Sequence, residues 1–308
     1  MGALGLAALA LWKNPRRNGV HWPLEPTKGR DSEPPEVADG DPFELPEEAL
    51  ESWVAGPEGP LRLVELHPEA PLAVVFVHGL GGGLEHWAPQ LRAVGDGLRA
   101  IAFDLPGHGG SDPKSGGPLD LLAASLGAVL DSLGVRRVVV VAHSLGALAA
   151  LRYAATHRDR VAGMLLVDPT GDQSRISKDE RQAFLESLRV DPGGEMAWHY
   201  RQLLSESGAA VAERVLQDLA KVDDGALLES LASSLETRPV EDLEAYGGPV
   251  QLLLSDFNDL PYALHRLCPD LPSSRLPGSS HWLMLDRPDE VWESLLDFLG
   301  IVEDHQIS

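Results

Sequence analysis

The chain has 308 residues, 44% of them hydrophobic, and a formal net charge of −22 at pH 7. That length suits one large domain, or a core domain with an insertion, and the acidity weighs against nucleic acid or an anionic membrane as partner for the body of the protein. The single cysteine, Cys268, excludes an intramolecular disulfide; no Cys/His cluster has zinc-ligand spacing and no G-x-x-x-x-G-K-[ST] phosphate loop occurs, so neither cofactor nor metal is expected.

The first element is apolar. Ala3 to Trp12 is followed by Lys13, Arg16 and Arg17. The run is about half of the ~20 residues a spanning helix needs, and a secretory signal carries its positive charge before the apolar stretch, not after it. Two readings of segment 1–12 stay open: a loosely docked tail on a cytoplasmic protein, or a membrane-associating anchor whose contact runs through residues 1–17. Residues 13–48 are rich in proline and acidic side chains and lack hydrophobic periodicity. They read as a linker arm, with Trp22 and Phe43 as candidate docking points.

From Ser52 the pattern becomes β. Ser52–Ala55 and Leu61–Leu66 flank the turn signal Gly56-Pro57-Glu58-Gly59-Pro60. Strands are then expected at Leu72–Val77, Leu98–Phe103, Val135–Val141, Val161–Val167, Val250–Leu254 and near Ser274–Leu276. Several are apolar without alternation, as a parallel sheet covered on both faces demands. Helices are expected at Glu85–Val94, Leu119–Leu133, Leu145–Thr156, Leu260–Leu267 and Pro288–Leu299. Between residues 171 and 248 the alternation breaks. Helical patterns at Lys178–Leu188, Met196–Leu204, Ala209–Leu219 and Ala226–Leu235 have no strand among them.

Chemistry enters at Val138-Val139-Val140-Val141-Ala142-His143-Ser144-Leu145-Gly146-Ala147. An apolar, β-branched run stops at a serine and helical sequence follows at once. A serine on such a strand–helix turn points its hydroxyl outward and requires small neighbours, here Ala142 and Gly146. Upstream, the strand Leu72–Val77 runs into His78-Gly79-Leu80-Gly81-Gly82-Gly83. Near the C-terminus, Pro277-Gly278-Ser279-Ser280-His281-Trp282 precedes a helical segment.

With these three motifs in this order, roughly residues 50 to 300 resemble the α/β-hydrolase family. The resemblance implies a mostly parallel, doubly wound sheet, with core segments 49–170 and 249–302, a helical cap at 171–248 and a C-terminal tail at 303–308. It also implies a serine hydrolase acting on a small-molecule ester. Ser144 would be the nucleophile, His281 the general base in the family's histidine loop, and the backbone N–H groups of Leu80 and Leu145 the oxyanion hole. The stretch Asp104-Leu105-Pro106-Gly107-His108-Gly109-Gly110-Ser111 matches a further family loop and reads as structural.

One motif departs from the family. Where Gly-x-x-Asp follows the strand beginning near Pro249, this chain has Ser255 and Asn258, and a neutral amide cannot supply the triad's charge. Asp259 is the first candidate for the acid, with Asp256 and Asp168 as alternatives. The substrate expected is an uncharged, largely apolar carboxylic ester. Hydrolysis of a carbon–carbon bond in a vinylogous diketone, and ligand binding without turnover, are the rival readings. A serine at 144 argues against the dehalogenases and epoxide hydrolases of this fold, which use aspartate.

Overall fold

The computed structural model describes residues 41–112 and 116–307, with side chains to Glu303. The apolar segment 1–12, Trp22 and the arm through residue 40 lie outside the described residues.

Eight strands form one sheet: β1 (Leu50–Ala55), β2 (Pro60–Leu66), β3 (Leu72–Val77), β4 (Leu98–Phe103), β5 (Val138–His143), β6 (Val161–Val167), β7 (Val250–Leu254) and β8 (Ser273–Arg275). Their order is β1-β2-β4-β3-β5-β6-β7-β8. The first two pairings, β1 with β2 and β2 with β4, are antiparallel, and all later ones are parallel. Every residue of β5 and β6 is buried. That explains the apolar run Val138–Ala142 and the apolar sequence of β6: both faces of a central parallel strand meet helices.

The helices are α1 (Ala88–Ala93), α2 (Leu119–Ser132), α3 (Leu145–Thr156), α4 (Lys178–Leu188), α5 (Pro192–Leu203), α6 (Ala209–Leu219), α7 (Asp224–Glu236), α8 (Pro239–Tyr246), α9 (Leu264–Leu267), α10 (Leu283–Asp286) and α11 (Pro288–Ile307). Helices α2 and α8 pack on α3, whereas α11 packs on α1 and on β6. Helices α4 to α8 follow one another between β6 and β7 with no strand among them.

Three differences from the sequence pattern have local causes. Strand β5 begins at Val138, not Val135. Gly134 is left-handed at φ 65°, and the Val135 N–H donates to the Leu130 carbonyl at 2.8 Å. Val135 is thus spent on closing the C-terminus of α2 in a Schellman-type cap. The helix expected from Leu260 forms only at Leu264: Pro261 and Tyr262 make a turn instead, closed by the Ala263 N–H donating to the Leu260 carbonyl at 3.0 Å. Helix α8 escaped the periodicity altogether. Its signals were Pro239 at the first helical position and Gly247 just past the end, left-handed at φ 63°.

The start of the described chain is held by Phe43, which is buried. Its ring meets His86 edge-on with centroids 5.7 Å apart, and the Arg214 guanidinium of α6 stacks on it 4.8 Å from the centroid. The same His86 approaches Asp218 of α6 at 3.3 Å. Phe43 therefore joins the sheet side of the molecule to a helix of the β6–β7 insertion. Replacing Phe43 with alanine is expected to cost about 3 kcal/mol of stability, the usual penalty for emptying a buried aromatic site. Urea unfolding of the two proteins side by side measures it.

Candidate functional site

The site is built where β5 turns into α3. Ser144 sits at φ 51°, ψ −116°, a conformation a β-carbon resists. Its N–H is held by the Val167 carbonyl of the neighbouring strand at 3.1 Å. The turn survives because its surroundings leave no alternative. A β-carbon at Gly146 would lie 2.3 Å from the His78 carbonyl oxygen, and one at Gly79 would lie 2.7 Å from the His143 ring. Glycine at these two positions lets the loop after β3 close against the serine turn.

His281 arrives from the far side of the sheet on the loop after β8. That loop is tied down by its own side chains: Ser279 Oγ donates to the Leu276 carbonyl at 2.7 Å, and the Ser280 N–H donates to Asp286 at 2.8 Å. His281 Nε2 lies 2.9 Å from Ser144 Oγ, and its Nδ1 lies 2.6 Å from Asp168 Oδ2. Asp168, directly after β6, is only 1% exposed. Its N–H donates to the Leu253 carbonyl at 2.7 Å. Ser255 donates twice to its carboxylate, through its N–H to Oδ1 and through its hydroxyl to Oδ2, each at 2.8 Å. A buried carboxylate needs such donors to remain charged away from water.

The carboxylate that meets His281 is therefore Asp168, and the first expectation, Asp259, is corrected. Asp259 has a 62% exposed side chain engaged with Arg266, and that arginine draws its pKa down. Asp256 is also exposed, and it accepts from the Gly278 N–H at 3.0 Å. It supports the histidine loop from outside without reaching the ring. Asn258, at the family's acid position, donates its amide to the Pro169 carbonyl at 3.0 Å. It braces the turn that carries Asp168.

Two histidines that the sequence left unassigned frame the centre. His143 Nε2 donates to the backbone carbonyl of His281 at 2.8 Å, and the two rings lie 4.6 Å apart. Burial holds the His143 pKa well below the ordinary histidine range, and His281 adds to that effect, so His143 is a neutral brace. His78 accepts from the Leu105 N–H at Nε2 (2.9 Å), so its Nδ1 carries the proton donated to the Gly79 carbonyl (2.7 Å). That bond fixes the loop bearing Leu80. Position 143, immediately before the serine, was the one available sequence signal for the first brace.

Above Ser144 lies a cavity of about 190 Å³. Leu80 and Leu145 border it from the sheet side, and Phe184, Met196, Tyr200, Leu203, Leu231 and Leu235 line it from α4, α5 and α7. No lysine or arginine lines it. His199 is also neutral near pH 7, since burial lowers its pKa to about 4. Leu145 opens α3, where N–H groups point outward and favour an anion. Thr170 places its hydroxyl 3.4 Å from Ser144 Oγ. A serine hydroxyl, an imidazole and a buried carboxylate in this sequence can pass a proton from oxygen to nitrogen while the oxygen attacks an electrophile.

The model of the Alpha/beta hydrolase family matches residues 74–294. Among curated proteins, the dihydrolipoyllysine-residue acetyltransferase component of the acetoin cleaving system of Pseudomonas putida is 29% identical over 249 residues, 78% of this chain. The match spans 66% of that relative, just under two thirds of its length. The 2-hydroxy-6-oxononadienedioate/2-hydroxy-6-oxononatrienedioate hydrolase of Paraburkholderia phymatum is 29% identical over 254 residues, covering 74% of this chain and 86% of that one. Among solved structures, a thermophilic esterase from Thermogutta terrifontis superposes with a TM-score of 0.67 at 22% identity, over 82% of this chain and 98% of its own. Among the described residues no helix is long and apolar enough to cross a membrane.

Replacing Asp168 with asparagine keeps the shape and removes the charge. It should lower kcat/KM toward p-nitrophenyl butyrate by about 10⁴-fold, whereas Asp259→Asn should stay within about twofold, as for an exposed surface change. Steady-state kinetics of the two variants separates the two carboxylates.

Proposed function

The chain belongs to the alpha/beta hydrolase family, and from that premise we propose that this hydrolase cleaves uncharged, mainly apolar carboxylic esters through Ser144, His281 and Asp168. The observation that carries the proposal is the continuous hydrogen-bond chain from Asp168 Oδ2 through His281 to Ser144 Oγ, with spacings of 2.6 and 2.9 Å, opening into a largely apolar cavity.

In this mechanism Asp168 holds the His281 proton on Nδ1, leaving Nε2 free to accept from Ser144. Ser144 Oγ attacks the ester carbon as its proton moves to Nε2. The carbonyl electron pair moves onto oxygen, and the resulting oxyanion is held by the N–H groups of Leu80 and Leu145. His281 then gives its proton to the departing alkoxide, so that the alcohol leaves and the acyl group stays on Ser144. A water molecule, deprotonated at the same Nε2, repeats the addition, and collapse releases the acid and the free serine. Exclusion of bulk water by α4, α5 and α7 strengthens each of these charge interactions.

The lining supports the substrate class. A carboxylate- or phosphate-bearing substrate would bring charge into a cavity that offers no lysine or arginine to meet it. The same feature weighs against the dianionic dienedioates named for the Paraburkholderia relative. The volume lies below the roughly 300–1,000 Å³ of drug-sized pockets and favours short acyl chains.

A p-nitrophenyl ester series from acetate upward, with wild type beside Ser144→Ala, tests the proposal. Turnover should peak at short chains, and the serine variant should lose at least about 10³-fold. Equal rates in both proteins would remove Ser144 from the mechanism, and a wild type inert toward every ester would remove the ester.

A further inference from the structure

Two side-by-side contacts on one helical turn of the β6–β7 insertion reach both halves of the site. Tyr200 of α5 donates its hydroxyl to the Leu80 carbonyl at 2.6 Å. Three residues on, the Leu203 carbonyl accepts from the His281 N–H at 3.2 Å. The Leu203 carbonyl is one of the last of its helix, where no intrahelical donor remains. The last turn of α5 thus meets the loop after β3 through the Tyr200 side chain and the loop after β8 through the Leu203 backbone carbonyl. Tyr200 also packs edge-on against Trp282, with centroids 4.9 Å apart.

We propose that Tyr200 is a positioning residue for the oxyanion hole: its hydroxyl fixes the Leu80 peptide so that the preceding N–H stays aimed at the developing oxyanion. The inference rests on the ester hydrolase proposed above. Leu80 is held on the sheet side by the His78–Gly79 hydrogen bond and, on the side of the insertion, by Tyr200. The Gly79 carbonyl, on the peptide that carries the Leu80 N–H, also accepts from the Gly82 N–H at 3.1 Å; the next peptide, Leu80–Gly81, leads into Gly81, left-handed at φ 67°, and its carbonyl is held by Tyr200. Tyr200 is buried, and burial pushes its phenol above the ordinary tyrosine range, so it remains a proton donor. Without it the Leu80 carbonyl would be left buried and unpaired, which drives the peptide to reorient.

The test pairs turnover with an oxyanion mimic. A 1,1,1-trifluoro-2-ketone, matched in chain length to the best ester, adds to Ser144: the Oγ–C bond forms, the carbonyl pair moves to oxygen, and the serine proton goes to His281. Its affinity reports the oxyanion hole. The corresponding alcohol fills the same cavity without an oxyanion.

For Tyr200→Phe, kcat per site titrated with an organophosphate should fall about tenfold, less than the 10²–10³-fold for losing a donor outright. KM should stay within about twofold, and the ketone's affinity should fall about as far as kcat/KM while the alcohol's is unchanged. Unchanged kcat, a loss confined to KM, or equal weakening of ketone and alcohol would each overturn the inference and leave Tyr200 as a wall of the cavity. Tyr200→Gln and Tyr200→Met, alike in length, repeat the comparison without the ring. The amide donor should bind the ketone more tightly than the thioether, and equal binding overturns the proposal. Wild type without ester turnover removes the underlying reading and this inference with it. Wild-type turnover matched by Tyr200→Phe removes the inference alone.

Discussion

The 2.6 Å contact between Asp168 Oδ2 and His281 Nδ1 joins residues 113 positions apart in the chain. It exists because β5, β6, β7 and β8 lie side by side and parallel. In such a sheet the carboxyl ends of the strands share one edge, and loops leaving that edge converge. Ser144 follows β5, Asp168 follows β6, Ser255 follows β7, and His281 lies beyond β8. The hydrogen-bond chain runs from Ser144 to His281, back to Asp168 and on to Ser255, so it needs all four loops at one edge rather than following strand order. The Asp168 charge is tolerable only because neighbouring strands supply donors: Ser255 from β7 gives two, and the imidazole gives the third. The sheet and this hydrogen-bond chain are thus one construction.

The insertion between β6 and β7 has two physical effects. It lines the cavity beside Ser144 with leucine, phenylalanine and methionine side chains. It also touches the backbone of the loops it covers, through Tyr200 to Leu80 and Leu203 to His281. A cover that bonds to the loops below it belongs to their geometry as well as to the cavity wall. Phe43, His86, Arg214 and Asp218 anchor the same insertion at a separate point, through α6.

Much of the architecture was legible because it depends on local pattern. The runs at Leu72–Val77, Leu98–Phe103, Val161–Val167 and Val250–Leu254 are strands with the bounds their apolarity suggested. The small-x-Ser-x-small sequence at 142–146 carries its own steric explanation, since nothing larger than hydrogen fits beside the His78 carbonyl at position 146. Helix α8 was missed because its eight residues carry too short a periodicity, although its terminal proline and glycine marked it. The carboxylate that contacts His281 was not the first choice for a different reason. Asp259, Asp256 and Asp168 are equivalent in sequence, each a carboxylate at a strand's end, and spacing favoured the one nearest the family's usual position. Only spatial neighbours distinguish them: an exposed arginine claims Asp259, the Gly278 N–H claims Asp256, and Asp168 alone faces the imidazole.

The sequence by itself determined the alternation of strand and helix, the strained serine turn and the histidine loop, because each is encoded within a dozen residues by hydrophobic period and the steric demands of small side chains. Tertiary structure alone decided which carboxylate meets His281, that His143 braces the histidine loop, and that Tyr200 reaches Leu80 across 120 positions. These are contacts between loops that only the strand order brings together. Their formation depends on burial and on which donor lies nearest, and neither is a property of any local stretch of chain.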